Sequence, residues 1–105
     1  MSNYPVLIPY GKRSIRTVTL NGVIKFSATD ICNILGYIKA NKILGRYCDS
    51  TPEYIRLHTP GGVQSLRMIE KSDIESILSH SKRRTVPRVR KWLSELYGTN
   101  ADKEV

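Results

Sequence analysis

This sequence has little of what metal sites, most enzymes and membrane spans require. Its cysteines are Cys32 and Cys48, and its histidines are His58 and His80. Their spacing fits no zinc finger or knuckle, so no metal ligand set and no cofactor are expected. Two thiols without metal spacing point to a reducing compartment and an intracellular protein. Met1 to Tyr10 lacks a basic n-region and a small-residue cleavage site, so it does not read as a secretory signal. No apolar run approaches the roughly 20 residues needed to cross a bilayer, and no membrane partner is expected. Gly61-Gly62 is not followed by the Lys-Ser/Thr of a phosphate-binding loop. His58 leads into a turn and His80 sits at a helix end, and neither joins a recognisable nucleophile–base arrangement. The chain is not expected to be an enzyme.

Acidic residues are also scarce. There are 17 lysines and arginines against 9 acids, a net charge of +8 on 105 residues. That length suits a single domain. Such a balance on so small a domain points to a polyanionic partner.

The pattern reads as α+β: two β-hairpins and about four short helices. Residues 1–12, with two prolines and a glycine, read as an irregular segment, 13–97 as the domain, and 98–105 as a flexible polar tail. Ser14 to Leu20 and Val23 to Ser27 flank Asn21-Gly22, whose two positions favour the positive φ of a tight hairpin turn. Apolar residues on both faces of these strands imply that both faces are covered. Ser27 is placed to cap a helix carrying Asp30 in its first turn and Ile31, Ile34 and Leu35 inward, with Gly36 as its stop. Asp30 is read as an end-of-helix residue rather than a catalytic one. A second helix spans Lys39 to Cys48. Ala40, Ile43, Leu44, Tyr47 and Cys48 form its apolar stripe, while Lys39, Lys42 and Arg46 share another face. Cys32 and Cys48 both fall on inward faces, where free cysteine acts as a small hydrophobe.

A second hairpin joins Tyr54–Thr59 to Val63–Ile69 around Pro60-Gly61-Gly62. Alternation puts Ile55, Leu57, Leu66 and Met68 on one face and Arg56 and Arg67 on the other. With Gly61-Gly62 as the turn, Arg56 faces Arg67, a like-charge pair that an anion would relieve. Ser72-Asp73-Ile74-Glu75 matches a capping box for a third helix, with Ile74, Ile77 and Leu78 inward. The last helix starts near Thr85 and tolerates Pro87 in its first turn. Its stripe is Val89, Trp92, Leu93, Leu96 and Tyr97, and Gly98 is expected to end it. Trp92, Tyr37 and Tyr47 read as packing residues, with stacking on single-stranded bases the alternative for the two tyrosines.

Three regions suit phosphate contact. From Lys82 to Lys91 the chain carries Lys82, Arg83, Arg84, Arg88, Arg90 and Lys91 with no acid between them, whereas ordinary exposed helices mix both signs. Helix, short turn, helix and hairpin is also the order of a helix-turn-helix with a wing. In that layout the second helix reads the groove through Lys39, Asn41, Lys42 and Arg46, since Asn pairs with adenine and Arg or Lys with guanine. Arg56 and Arg67 of the hairpin then follow the phosphate backbone. Asn41 has an equally good reading as a residue of the helix start.

Several stretches, taken in order, resemble the BRO-N domain, the N-terminal module of viral BRO proteins and phage antirepressors. They are Arg16-Thr17-Val18 with Asn21-Gly22, Phe26 to Cys32, and Ile34-Leu35-Gly36-Tyr37. Asn41-Lys42-Ile43, Thr59 to Gln64, Ile69 to Leu78, Ser81-Lys82 and Arg90-Lys91-Trp92-Leu93 follow. Together they run from about Arg13 to Tyr97. The resemblance implies a viral or prophage regulatory protein that binds nucleic acid, with duplex DNA the expected partner. It implies the host cytoplasm for a phage, or the host nucleus or cytoplasm for a eukaryotic virus. Family members usually carry a second, C-terminal domain. The alternative is an antirepressor that binds a repressor protein rather than DNA. A small metal-dependent nuclease is the third and weakest reading, because the acids mostly sit at element ends. A homodimer is an assembly common among helix-turn-helix proteins.

Overall fold

The computed structural model describes residues 3–48 and 51–104, the side chains of 99–104 excepted. Five strands form one antiparallel sheet: β1 (Val6–Tyr10), β2 (Arg13–Leu20), β3 (Val23–Ser27), β4 (Glu53–Thr59) and β5 (Gly62–Ile69). Their order across the sheet is β1-β2-β3-β5-β4. Four helices accompany them: α1 (Ala28–Leu35), α2 (Ala40–Tyr47), α3 (Lys71–His80) and α4 (Val86–Glu104). None is long and apolar enough, over the described residues, to cross a membrane.

The β2–β3 hairpin turns where its Asn-Gly dipeptide demands. Asn21 (φ 52°) and Gly22 (φ 80°) both adopt positive φ, and Leu20 pairs with Val23. The segment expected to be irregular instead adds a strand. β1 pairs with β2 from Val6↔Thr17 to Tyr10↔Arg13. Pro9 hides this strand in a sequence reading, but an edge strand tolerates a missing N–H. Tertiary contact fixes β1 in place: the Trp92 indole N–H of α4 donates to the Pro9 carbonyl at 2.9 Å, and its ring meets Tyr10 edge-on.

The second hairpin has the expected strands in a different register. Thr59 pairs with Gly62, so Pro60-Gly61 make the turn and Arg56 lies opposite Ser65. Proline presets the φ of the first turn position, and Gly62, at φ 105°, takes the left-handed position after it. Arg67 lies opposite Tyr54, and the arginine pair facing across the strands does not form. The shift moves the partner by two residues, which preserves strand parity. The apolar face therefore survives: Ile55, Leu57 and Met68 are buried together with Val18.

β5 meets β3 only at Phe26↔Ile69 and Ser27↔Met68, so most of the β4–β5 ribbon runs on past the central sheet. The far edge curls back toward the chain start, where Asn3 exchanges backbone hydrogen bonds of 2.9 Å with Arg56 and His58 of β4. The main core lies on the other side, where Ile15, Phe26 and Ile69 of the sheet meet Ile31, Leu35, Leu44, Ile74, Ile77, Val89 and Leu93 of the helices.

Helix ends follow local chemistry with two exceptions. Ser27 caps α1, accepting from the Asp30 backbone N–H at 3.3 Å, and Gly36 ends it at φ 94°. The capping box expected at Ser72 lies two residues earlier. α3 is capped at Glu70, whose backbone N–H donates to the Asp73 carboxylate at 3.1 Å. The residue that follows the last strand pair takes the cap, so the sheet decides where the helix begins. Gly98 does not stop α4, which continues to Glu104. A glycine inside a helix costs only about 1 kcal/mol relative to alanine, and Gly98 does not adopt the positive φ of a stop. The expected tail is thus helical from Gly98 to Glu104, and Val105 lies outside the described residues.

Candidate nucleic-acid interface

The corner between α1 and α2 is four residues long, Gly36 to Lys39. That is the length, and the glycine, of a helix-turn-helix connection. The corner is rigid because α1 ends on two backbone bonds, Gly36 N–H to the Asn33 carbonyl at 3.0 Å and Tyr37 N–H to the Cys32 carbonyl at 2.8 Å. The loop leading into α4 is fastened to it at two points. Ser81 and Tyr37 share a hydroxyl–hydroxyl bond of 2.7 Å, and the Thr85 hydroxyl donates to the Leu35 carbonyl at 2.9 Å. Arg83 lies between these fastenings, its guanidinium 4.2 Å from the centre of the Tyr37 ring. α1 has no basic residue in its own last turn. Arg83, together with Arg13, which donates to the Asn33 carbonyl at 3.2 Å, places positive charge at this end, which the helix dipole favours.

On α2, Leu44 is buried and Ala40, Ile43 and Tyr47 are half-buried, while Lys42 and Arg46 are exposed. At 100° per residue, Lys39, Lys42 and Arg46 fall in one stripe. This stripe meets Arg83 across a groove of about 410 Å3 lined by Gly36, Tyr37, Ile38, Lys39, Lys42, Ile43, Arg46 and Arg83. Four cations from two distant segments share a lining that contains no acid. Among the described residues no side-chain hydrogen bond caps the start of α2 at Lys39.

The other expected contacts divide. Asn41 is on the opposite shoulder of α2 and accepts from Arg67 at 3.4 Å. Arg67 is half-buried, and its Nε is buried without a hydrogen-bond partner among the described residues. The bond to Asn41 links the second hairpin to α2. Arg56 shares Arg67's face of the hairpin, the face turned toward α2, and is exposed. Lys82 and Arg84 are exposed in the loop beside Arg83. On α4 the basic residues diverge. Arg88 lies over the Tyr10 ring at 5.3 Å, toward the β1–β2 turn. Arg90 lines a depression with Lys71 and Glu75 of α3. Lys91 points away from the core. Arg88 and Arg90 are two residues apart, about 200° around the helix, so no single face holds the whole Lys82–Lys91 run.

Three other bases are engaged in ion pairs. Asp30 takes Arg16 in a two-point pair, both contacts at 2.8 Å, and accepts the Arg16 backbone N–H at 2.9 Å. Those hydrogen bonds raise the Arg16 pKa above its ordinary value. Lys25 bridges Glu70 and Glu53, which raise its pKa, and Lys71 pairs with Glu75. Asp30 thus has a structural partner in addition to its place in the first turn of α1. Sequence reasoning missed the Arg13 and Tyr37 contributions. Nothing in the local pattern around either marks them, since both depend on segments brought together from far along the chain. Among the described residues no three His, Cys, Asp or Glu gather as a metal site.

The fold and this corner define a small α+β domain, a five-stranded antiparallel sheet with four helices, that carries an acid-free basic groove between α2 and the loop before α4. Residues 14–97 match the BRO family, N-terminal domain, and the chain belongs to that family. Compared with curated proteins and with solved structures, the chain matches none.

Proposed function

We propose that this domain binds duplex DNA through the groove between α2 and the loop before α4. The observation that carries this reading is the convergence of Lys39, Lys42, Arg46 and Arg83 on one acid-free lining. Clustered cations neutralise phosphates and release counterions, which supplies sequence-independent affinity. α2 is then the groove-reading helix, with Lys39, Lys42 and Arg46 at phosphates or base edges. Arg13, Arg56, Lys82 and Arg84 extend the contact at the flanks. Arg88, Arg90 and Lys91 lie further from the groove and contribute less.

Gel-shift titration at two salt concentrations tests this. Binding to a duplex should weaken steeply with salt, and Lys42→Ala or Arg83→Ala should lower both affinity and salt slope by about one phosphate contact each. Arg90→Ala should change little. A chain that fails to bind duplex DNA at low salt, or binds it equally at both salts, would falsify the proposal.

A further inference from the structure

Ile38 is 93% exposed, more than any other large hydrophobic residue of the described chain; the next, Tyr4, is 77% exposed. An isolated surface isoleucine is ordinary, but this one stands where cations surround it. It borders the groove holding Lys39, Lys42 and Arg83, and also a depression that holds Arg13 together with Asp30, an acid already paired with Arg16. Its chain neighbour Tyr37 is anchored on both sides, to Cys32 through its backbone and to Ser81 through its hydroxyl. It precedes Lys39, the first residue of the α2 cap, which is the position a helix-turn-helix carries toward base edges.

Phosphate contacts orient a protein on DNA but do not read its sequence. An aliphatic tip between phosphate-binding cations has one complementary feature in the major groove, the 5-methyl group of thymine. We propose that Ile38 contacts thymine methyl groups and gives the domain a preference for them. This rests on the duplex-DNA reading above.

The test compares binding of the whole chain to poly(dA-dT) and poly(dA-dU), which differ only in that methyl. The unaltered chain should bind poly(dA-dT) about fourfold more tightly for each methyl covered. Ile38→Ala should bring the ratio close to one without changing the salt slope, and Ile38→Val should keep most of the preference. A side chain this exposed leaves the fold intact, which an unchanged melting temperature confirms. Equal affinity of the unaltered chain for both polymers overturns the methyl contact alone, and so does a preference that survives in Ile38→Ala. No binding to either polymer at low salt overturns it together with the DNA reading.

Discussion

The guanidinium of Arg83 stacks on the ring of Tyr37, 4.2 Å from its centre, and thereby joins two segments that sequence places 46 positions apart. The stack holds Arg83 over the corner glycine. A Cβ built on Gly36 would stand 3.2 Å from Arg83 Nη1, and Gly36 has a φ of 94°. Gly36→Ala should therefore cost about 1–2 kcal/mol in left-handed strain, with Arg83 shifting slightly to accommodate the added Cβ. A double-mutant cycle of Arg83→Ala and Tyr37→Leu, read by urea unfolding, should give a coupling of about 0.5–1 kcal/mol. Additive effects would mean that the stack contributes nothing.

Asp30 accepts three hydrogen bonds from Arg16, two from the side chain and one from the backbone. Its side chain is 14% exposed and that of Arg16 27%, so the pair is only partly screened. Asp30→Asn should lower stability by about 2 kcal/mol, the scale of a charge-assisted bond lost in a half-buried site. The urea midpoint should fall with the slope of the transition unchanged. A change under about 0.5 kcal/mol would place the pair with ordinary surface ion pairs.

Gly98 is inside α4, and a Cβ there would meet nothing within 4 Å. Gly98→Ala should stabilise the chain by about 0.5–1 kcal/mol through helix propensity. Were Gly98 a left-handed helix stop, the same change would destabilise it. The sign of the thermal shift separates the two.

Burial pushes the Cys32 thiol up to about 11 from an ordinary 9.0, with Cys48 adding to the effect. Above pH 9 the unfolded chain releases this proton while the folded chain keeps it. The folded state then binds more protons, so stability falls as pH rises from about 9 to about 11. Lys25 behaves in the same direction at higher pH. Its raised pKa gives stability that is full below 10.5 and lost as pH climbs through the folded value. Urea midpoints from pH 8 to 10.5 should decline less in Cys32→Ala than in the unaltered chain. Iodoacetamide at pH 8 should label the half-buried Cys48 before the fully buried Cys32.

Where a signal was local, sequence alone determined the result. Asn21-Gly22 dictated a hairpin because both positions need positive φ. Ser27 and Gly36 bounded α1 through side-chain capping and left-handed backbone. Strand alternation determined which face of the second hairpin is apolar, and this held despite a shifted register, because parity is unaffected by a two-residue slip. The ordered motifs identified the family. Tertiary structure decided the rest. β1 exists because β2 offers an edge and Trp92 reaches Pro9 from the far end of the chain. Arg67 was linked to Asn41 of α2 across 26 positions of sequence. Arg88 and Arg90 were separated by helical rotation, and Arg83 was recruited to α2 by a loop fastened to α1. Periodicity places a cation on a face of its own element, but which cations meet depends on how distant elements pack, and no local pattern carries that information.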